Sequence, residues 1–100
     1  MTSVRFLPAA RSEFLESLRY YRSRSPRVAK EFLESVRESI AAILKFPEAA
    51  PVLHGPIRRR IVRRFPFSLL YSSENAAVLI VAVMHHHRHP DYWANRVDGG

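Results

Sequence analysis

The chain has 100 residues and a mass of 11.6 kDa, enough for one compact domain but too little for two. Its 16 Lys and Arg residues outnumber its 9 Asp and Glu residues, and the formal net charge of +7 favours anionic partners: nucleic acid, phosphates or an acidic protein. The sequence contains no Cys, which excludes disulfide bonds, thiolate catalysis and cysteine-bound zinc.

Targeting signals are not recognisable in the sequence. Charges begin too early for a secretory leader, and no apolar run approaches the roughly 18 residues that a membrane span needs. We therefore expect a cytoplasmic protein without a membrane partner, with a single domain over residues 1–97 and a disordered tail at 98–100.

The first half of the chain predicts one strand and two helices. Residues 3–7 alternate as in a short strand, and apolar residues at steps of three and four predict a helix over 8–24. Ser25 and Pro26 are typical of an N-cap and a first helical position, so a second helix should begin there and end at Phe46. Its predicted buried face consists of Ala29, Phe32, Leu33, Val36, Ile40, Ile43 and Leu44.

The second half changes to the period of strands. Residues 47–56 contain three prolines and a glycine and predict a loop; strands are predicted over 57–62, 65–72 and 77–84, with a turn at 73–75. The last strand carries the run AVLIVAV, which is apolar on both faces and should lie in the middle of the sheet, with its neighbours nearer the edges. The element order predicts an α+β domain in which an antiparallel helical hairpin packs on a small twisted antiparallel sheet that includes the N-terminal strand.

An arginine cluster is the first candidate for binding. Arg58, Arg59, Arg60, Arg63 and Arg64 lie within seven residues. Because side chains alternate along a strand, Arg58 and Arg60 should point to one face and Arg59 to the other. The cluster is either a solvated edge strand whose charges prevent aggregation, or a surface for an acidic partner or a nucleic-acid backbone.

A histidine cluster is the second candidate. Four histidines occur within the five residues HHHRH, ahead of Tyr92 and Trp93. No carboxylate or third ligand has a spacing that suits a metal, so no metal site is expected. His85 or His87 could act as a general acid or base with Arg88 steadying a phosphate. In the structural alternative, these side chains cap a strand and the two aromatic residues close the end of the sheet.

Several short motifs follow one another in a specific order. Tyr20-Tyr21 closes the first helix, SPRVAKEF opens the second, and FPEAAP and RRRIVRRFPFSLLY come next. The order resembles that of the RelE/ParE superfamily of toxins from type II toxin–antitoxin systems, although Phe67 stands where many relatives have Tyr. The stretch AVMHHHRHPDYW is similar to the central strand of that superfamily and its H-x-x-R-x-P-x-Y-W ending, matched by His85, Arg88, Pro90, Tyr92 and Trp93.

The resemblance implies a toxin with one of two targets. Members similar to ParE inhibit DNA gyrase and lack nuclease residues, whereas members similar to RelE cut mRNA at the ribosome. The stretch near Arg96 lacks the basic and tyrosine ending of the cutting branch, which favours the ParE-like branch, gyrase as target and no catalytic site. If the chain is instead a ribosome-dependent endoribonuclease, the catalytic residues would be Arg60, Arg64, His87, Arg88 and Tyr92.

The resemblance also implies a cognate ParD-like antitoxin, whose acidic C-terminal segment wraps the toxin in a hetero-oligomer. Such a segment suits a basic surface, since its apolar residues would fill a groove and its carboxylates would pair with arginines. No cofactor is expected. The residues expected to contact the antitoxin or the target are Arg58, Arg60, Arg63, Arg64, His87, Arg88, Tyr92 and Trp93.

Overall fold

The elements of the fold come from a computed structural model that describes residues 3–97. In chain order they are β1 (Ser3–Phe6), α1 (Pro8–Arg24), α2 (Pro26–Lys45), β2 (Val52–His54), β3 (Ile57–Ile61), β4 (Phe67–Glu74), β5 (Ala77–His85) and a short 3-10 helix (Ala94–Arg96). The tail predicted at 98–100 lies outside the described residues. Neither α1 nor α2 is long and apolar enough to cross a membrane.

The junction between the two helices is made by one serine. The N–H of Ser25 donates to the carbonyl of Tyr21 at 2.8 Å and ends α1, while its Oγ accepts from the N–H of Val28 at 3.3 Å and caps α2. Pro26 follows at the first helical position, where its missing N–H has no cost. The predicted helices are thus confirmed. Of the predicted buried face of α2, Ala29, Phe32, Val36 and Ile43 are buried, and Leu33, Ile40 and Leu44 are half-buried.

The sheet has the strand order β1-β5-β4-β3-β2, with both helices on one face. Its pairs are antiparallel except β1 with β5, which run parallel and are separated in the chain by the helical hairpin and by β2, β3 and β4. The α+β prediction is confirmed. The middle strand is β4 rather than the predicted β5, because β2 and β3 extend the sheet on the far side of β4.

Two local predictions need correction. The segment predicted as a loop contains the short strand β2, which pairs with β3. The β4–β5 turn lies at Asn75 and Ala76 rather than at 73–75, since β4 continues to Glu74. Both turn residues have positive φ angles, 51° and 61°, as in the two-residue turns that match the twist of a hairpin.

Each face of the sheet has its own hydrophobic cluster. Under the helices, Phe32 and Val36 of α2 pack on Leu69 and Tyr71 of β4 and on Ile80 of β5. The opposite face is closed by residues that follow β5. There the indole of Trp93, which is 3% exposed, packs on a smaller cluster that contains Ile57, Leu70, Val81, Ala82 and Met84.

Candidate functional site

The arginine cluster does not form one surface. Arg58 turns toward the loop after α2, where its Nη1 donates to the carbonyl oxygens of Glu48 at 3.0 Å and Ala50 at 2.7 Å. Arg59 turns to the opposite face, and its Nε donates to the Oγ of Ser68 at 2.9 Å. The alternation predicted for the strand is therefore present, and two of the five cations are held by groups of the chain itself.

The other three arginines have different surroundings. Arg60 is partly buried, and its Nε lies out of contact with water and has no hydrogen-bond partner within residues 3–97. Arg63 and Arg64 are exposed in the turn after β3, and Arg64 has a φ of 72°. These two border a small cavity whose other walls are acidic or polar residues of α2: Glu31, Glu34, Ser35 and Glu38.

His85 and His87 face each other at the end of β5. Their ring centroids are 5.0 Å apart, and the N–H of His87 donates to Nδ1 of His85 at 3.0 Å. Burial, together with the neighbouring histidines, lowers the pKa of His85. His85 is therefore neutral near pH 7, with its proton on Nε2 because Nδ1 accepts a hydrogen bond. Within residues 3–97, no three His, Asp or Glu side chains come together as a metal site requires.

The neighbouring His86 makes a contact that the sequence did not predict. Its Nε2 lies 2.9 Å from the Oγ of Ser68, the hydroxyl that also accepts from Arg59. The guanidinium uses one lone pair of that hydroxyl, which leaves its proton and its other lone pair for the ring of His86. Ser68 is 0% exposed and so cannot attack a substrate. The network positions Arg59 and His86 on the sheet face opposite the helices.

Tyr92 lies between two guanidinium groups. Arg88 stacks on its ring at 4.0 Å and Arg96 at 4.9 Å, as in cation–π contacts. Burial raises the pKa of Tyr92, and the nearby carboxylate of Glu13 raises it further. The phenol is therefore neutral and unsuited to act as a general base. The next residue, Trp93, is buried and donates from Nε1 to the carbonyl of Pro90 at 2.7 Å, so a partner would reach it only if the segment moved.

Glu13 and Arg96 form a bidentate ion pair, with N–O distances of 2.9 and 3.0 Å. Their side chains are only 15% and 18% exposed. The pair also binds the backbone of β5: Glu13 accepts from the N–H of Val83 at 3.0 Å, and Arg96 donates to the carbonyl of Val81 at 3.1 Å. Burial alone would raise the pKa of Glu13, but the hydrogen bonds from Arg96 and from Val83 outweigh it and lower that pKa.

A groove of about 570 Å³ runs between β1, α1 and α2, and we call it the helix groove. Its floor is apolar, and three arginines, Arg5, Arg11 and Arg37, stand among its walls. All three are exposed. The groove is therefore suited to an amphipathic segment with acidic side chains. Its apolar lining consists of Val4, Phe6, Phe14, Leu15, Leu33, Val36 and Ile40.

Comparison with known proteins identifies the family. The model of the family described as "ParE toxin of type II toxin-antitoxin system, parDE" matches residues 4–90. A solved structure titled "Chromosomal ParDE TA system from P. aeruginosa" is similar in fold, with a TM-score of 0.72 at 16% identity over 85% of this chain and 96% of that chain. No curated protein matches the sequence. The predicted superfamily and its ParE-like branch are thus confirmed, and the chain belongs to the ParE toxin family of type II toxin–antitoxin systems.

Proposed function

We propose that this chain inhibits growth by binding and poisoning DNA gyrase in the cytoplasm, and that a cognate ParD-like antitoxin neutralises it. The observation that carries the proposal is membership of the ParE toxin family over residues 4–90. The similar P. aeruginosa structure is described as a ParDE system, which supports an antitoxin as a partner of this chain as well.

Binding suits the described side chains better than catalysis does. Of the residues that a nuclease would use, Arg60 is partly buried beside β2, Arg64 borders the acidic side of α2, and Arg88 stacks on a neutral phenol. Exposed cations such as Arg11 and Arg37 at the helix groove are instead available to carboxylates of a partner. Interactions of this kind weaken as salt screens them, so binding should be strongest at low ionic strength.

The antitoxin should occupy the helix groove. An amphipathic helix of the antitoxin would place apolar side chains on the groove floor and carboxylates opposite Arg11 and Arg37 at its walls. The net charge of +7 attracts an acidic segment from a distance, and the apolar floor holds it once it is bound.

The target is tested by two assays run side by side with the same purified chain. We expect inhibition of gyrase supercoiling and no codon-linked cleavage of mRNA on programmed ribosomes. In cells, induction without antitoxin should give filaments with damaged DNA while translation continues. A prompt halt of protein synthesis with mRNA cleavage, lost in Arg60→Ala or His87→Ala, would refute the gyrase proposal in favour of an endoribonuclease.

The antitoxin site is tested by charge reversal at the groove wall. The double variant Arg11→Glu and Arg37→Glu should lower antitoxin affinity at least tenfold, because it opposes like charges. A matched control is Arg19→Glu with Arg22→Glu, which makes the same charge change at exposed positions of α1 that do not line the groove. Equal loss of affinity in both double variants would indicate a general charge effect and would contradict this site.

A further inference from the structure

A second recess lies at the opposite edge of the sheet, where β2 meets β3. It has a volume of about 560 Å³ and is lined by residues 49–53 and by Arg59, Arg60 and Ile61; we call it the edge notch. Its apolar side chains are unusually open to solvent: Val52 is 57% exposed and Ile61 is 61% exposed. A basic domain therefore displays apolar surface beside two arginines, a combination typical of binding sites.

The backbone of the notch is open at Ile61. The N–H of Val62 donates to the carbonyl of Phe67 in β4, so the N–H and carbonyl of Ile61 point the other way, toward β2. Pairing on the β2 side of β3 extends only to the hydrogen bond from the N–H of Arg59 to the carbonyl of Pro51, two residues short of Ile61. Within residues 3–97, the N–H of Ile61 has no acceptor.

The side chain of Arg60 is also incompletely bonded. Its Nε is buried and has no acceptor among the described residues, although burying an N–H without a partner destabilises the folded chain. The adjacent Arg59 also lines the notch, but from the opposite face of β3, where Ser68 holds its guanidinium. A guanidinium is best satisfied by a carboxylate, which can accept two of its N–H groups.

These observations define the occupant. The open N–H of Ile61 suits an extended segment, which would lie at the sheet edge beside β3. Arg59 and Arg60 require acidic side chains, and their charge opposes a second copy of a chain whose net charge is +7. The helix groove lies at β1, four strand spacings or about 19 Å away, so a helix bound there leaves the notch free.

We propose that the edge notch binds an extended acidic segment of the target protein, which pairs with the backbone of Ile61, places a carboxylate on Arg60 and packs an apolar side chain against Val52. The assignment rests on the proposed function, in that it takes the chain to inhibit growth through a protein target. It separates two surfaces: the helix groove serves the antitoxin, and the edge notch serves the target.

The test uses Ile61→Pro and Arg60→Met in the full-length chain. Proline removes the open N–H without breaking a bond of the β3–β4 ladder, and methionine removes the charge while keeping an unbranched side chain. Each variant should need at least tenfold more protein to inhibit gyrase supercoiling and should inhibit growth correspondingly less. Antitoxin affinity should stay within twofold of wild type, which also shows that the variants are folded. Arg19→Met is the matched control and should remain as potent as wild type.

Amide exchange gives a second measurement. Exchange of the Ile61 amide, followed by mass spectrometry of the peptide that contains it, should slow at least tenfold in the gyrase complex and remain unchanged in the antitoxin complex. Full potency in both variants, or an unprotected amide in the gyrase complex, would overturn the proposal. Two other results would also overturn the proposal, because each would assign the notch to a different occupant. The variants could lose affinity for the antitoxin while still inhibiting gyrase, or they could abolish a wild-type dimer detected by sedimentation.

The outcomes also separate this inference from the proposed function. If wild type inhibits growth but not gyrase, the gyrase target is refuted. Comparing growth inhibition by wild type and by the two notch variants then still tests whether the notch binds the target. If wild type inhibits gyrase and both notch variants do so equally well, the notch alone is refuted. A wild-type chain that does not inhibit growth would refute both.

Discussion

The two faces of the sheet are closed by different means. On the helix face, Phe14, Phe32, Phe65, Phe67 and Tyr21 contact one another with ring centroids 5.0 to 6.4 Å apart. These contacts join α1, α2 and the sheet in one cluster. None of these five side chains titrates near neutral pH, so their contacts with one another should persist across the physiological pH range.

The other face depends on a short segment after β5. One buried indole, Trp93, fills its cluster, and one ion pair, Glu13 with Arg96, ties the segment to α1 and to β5. A covering with so few attachments can open without unfolding the whole domain. The contrast indicates that most of the stability resides on the helix face, and that local motion belongs to the face covered by this segment.

The largest effect is expected on the helix face. Phe32→Ala should lower the free energy of unfolding by about 3–5 kcal/mol, because Phe32 is fully buried and its removal leaves a cavity. Urea denaturation measures the change. The control is Phe46→Ala, at a residue that is 60% exposed, which should cost less than about 0.5 kcal/mol. Equal losses in the two variants would contradict the proposed dominance of this cluster.

A smaller and more local effect is expected for Trp93→Ala. We expect the free energy of unfolding to fall by about 3 kcal/mol, at the lower end for a buried aromatic residue. The loss is limited because the segment can detach without unfolding the rest of the domain. Hydrogen exchange should speed up in residues 88–97 before it does in β4, while Trp93→Phe should retain most of the protection. Uniform acceleration across β4 and the segment would show that the two faces open together.

The smallest effect is expected for the ion pair, and it should depend on pH. Glu13→Gln should lower the free energy of unfolding by about 2 kcal/mol at neutral pH, a value between those typical of buried and of exposed ion pairs. Folding lowers the pKa of Glu13 from 4.5, so its contribution is complete above that value and is lost as the pH falls through the folded pKa.

The measurement is urea denaturation of wild type and variant between pH 7 and pH 3. The two stabilities should converge toward the acidic end. The control is Glu31→Gln, which removes the exposed i,i+4 pair with Arg27 and should change stability by less than about 0.5 kcal/mol. Parallel pH curves for wild type and Glu13→Gln would show that the carboxylate does not supply this stability.

Much of the fold was predictable because its signals are local. The serine and proline at 25 and 26 mark the helix junction, and the apolar steps of α2 identify its buried face. The strand β2 was missed because three exposed residues between prolines carry no periodic pattern, and pairing with β3 alone makes them a strand. The parallel β1–β5 pair likewise follows from the path of the chain rather than from either strand.

The candidate site was less predictable because its contacts join distant parts of the chain. Glu13 and Arg96 are 83 positions apart, and neither belongs to a recognisable motif. Which histidine contacts Ser68 depends on the β4–β5 register, and that register brings His86 rather than His87 to the hydroxyl. The alternation of arginines along β3 was predictable, but the open backbone at Ile61 depends on where β2 begins.

The ion pair also affects how the folded chain avoids aggregation. Beyond the pairing of Phe6 with Ile80, no described strand continues alongside β5, yet Glu13 and Arg96 occupy the N–H of Val83 and the carbonyl of Val81. Two side chains thus stand in for a missing neighbour, and an incoming strand from another molecule finds these hydrogen-bonding groups already taken. Loss of Arg96 would therefore leave backbone groups of β5 unpaired where β1 has ended, and the first sign would be self-association at high protein concentration.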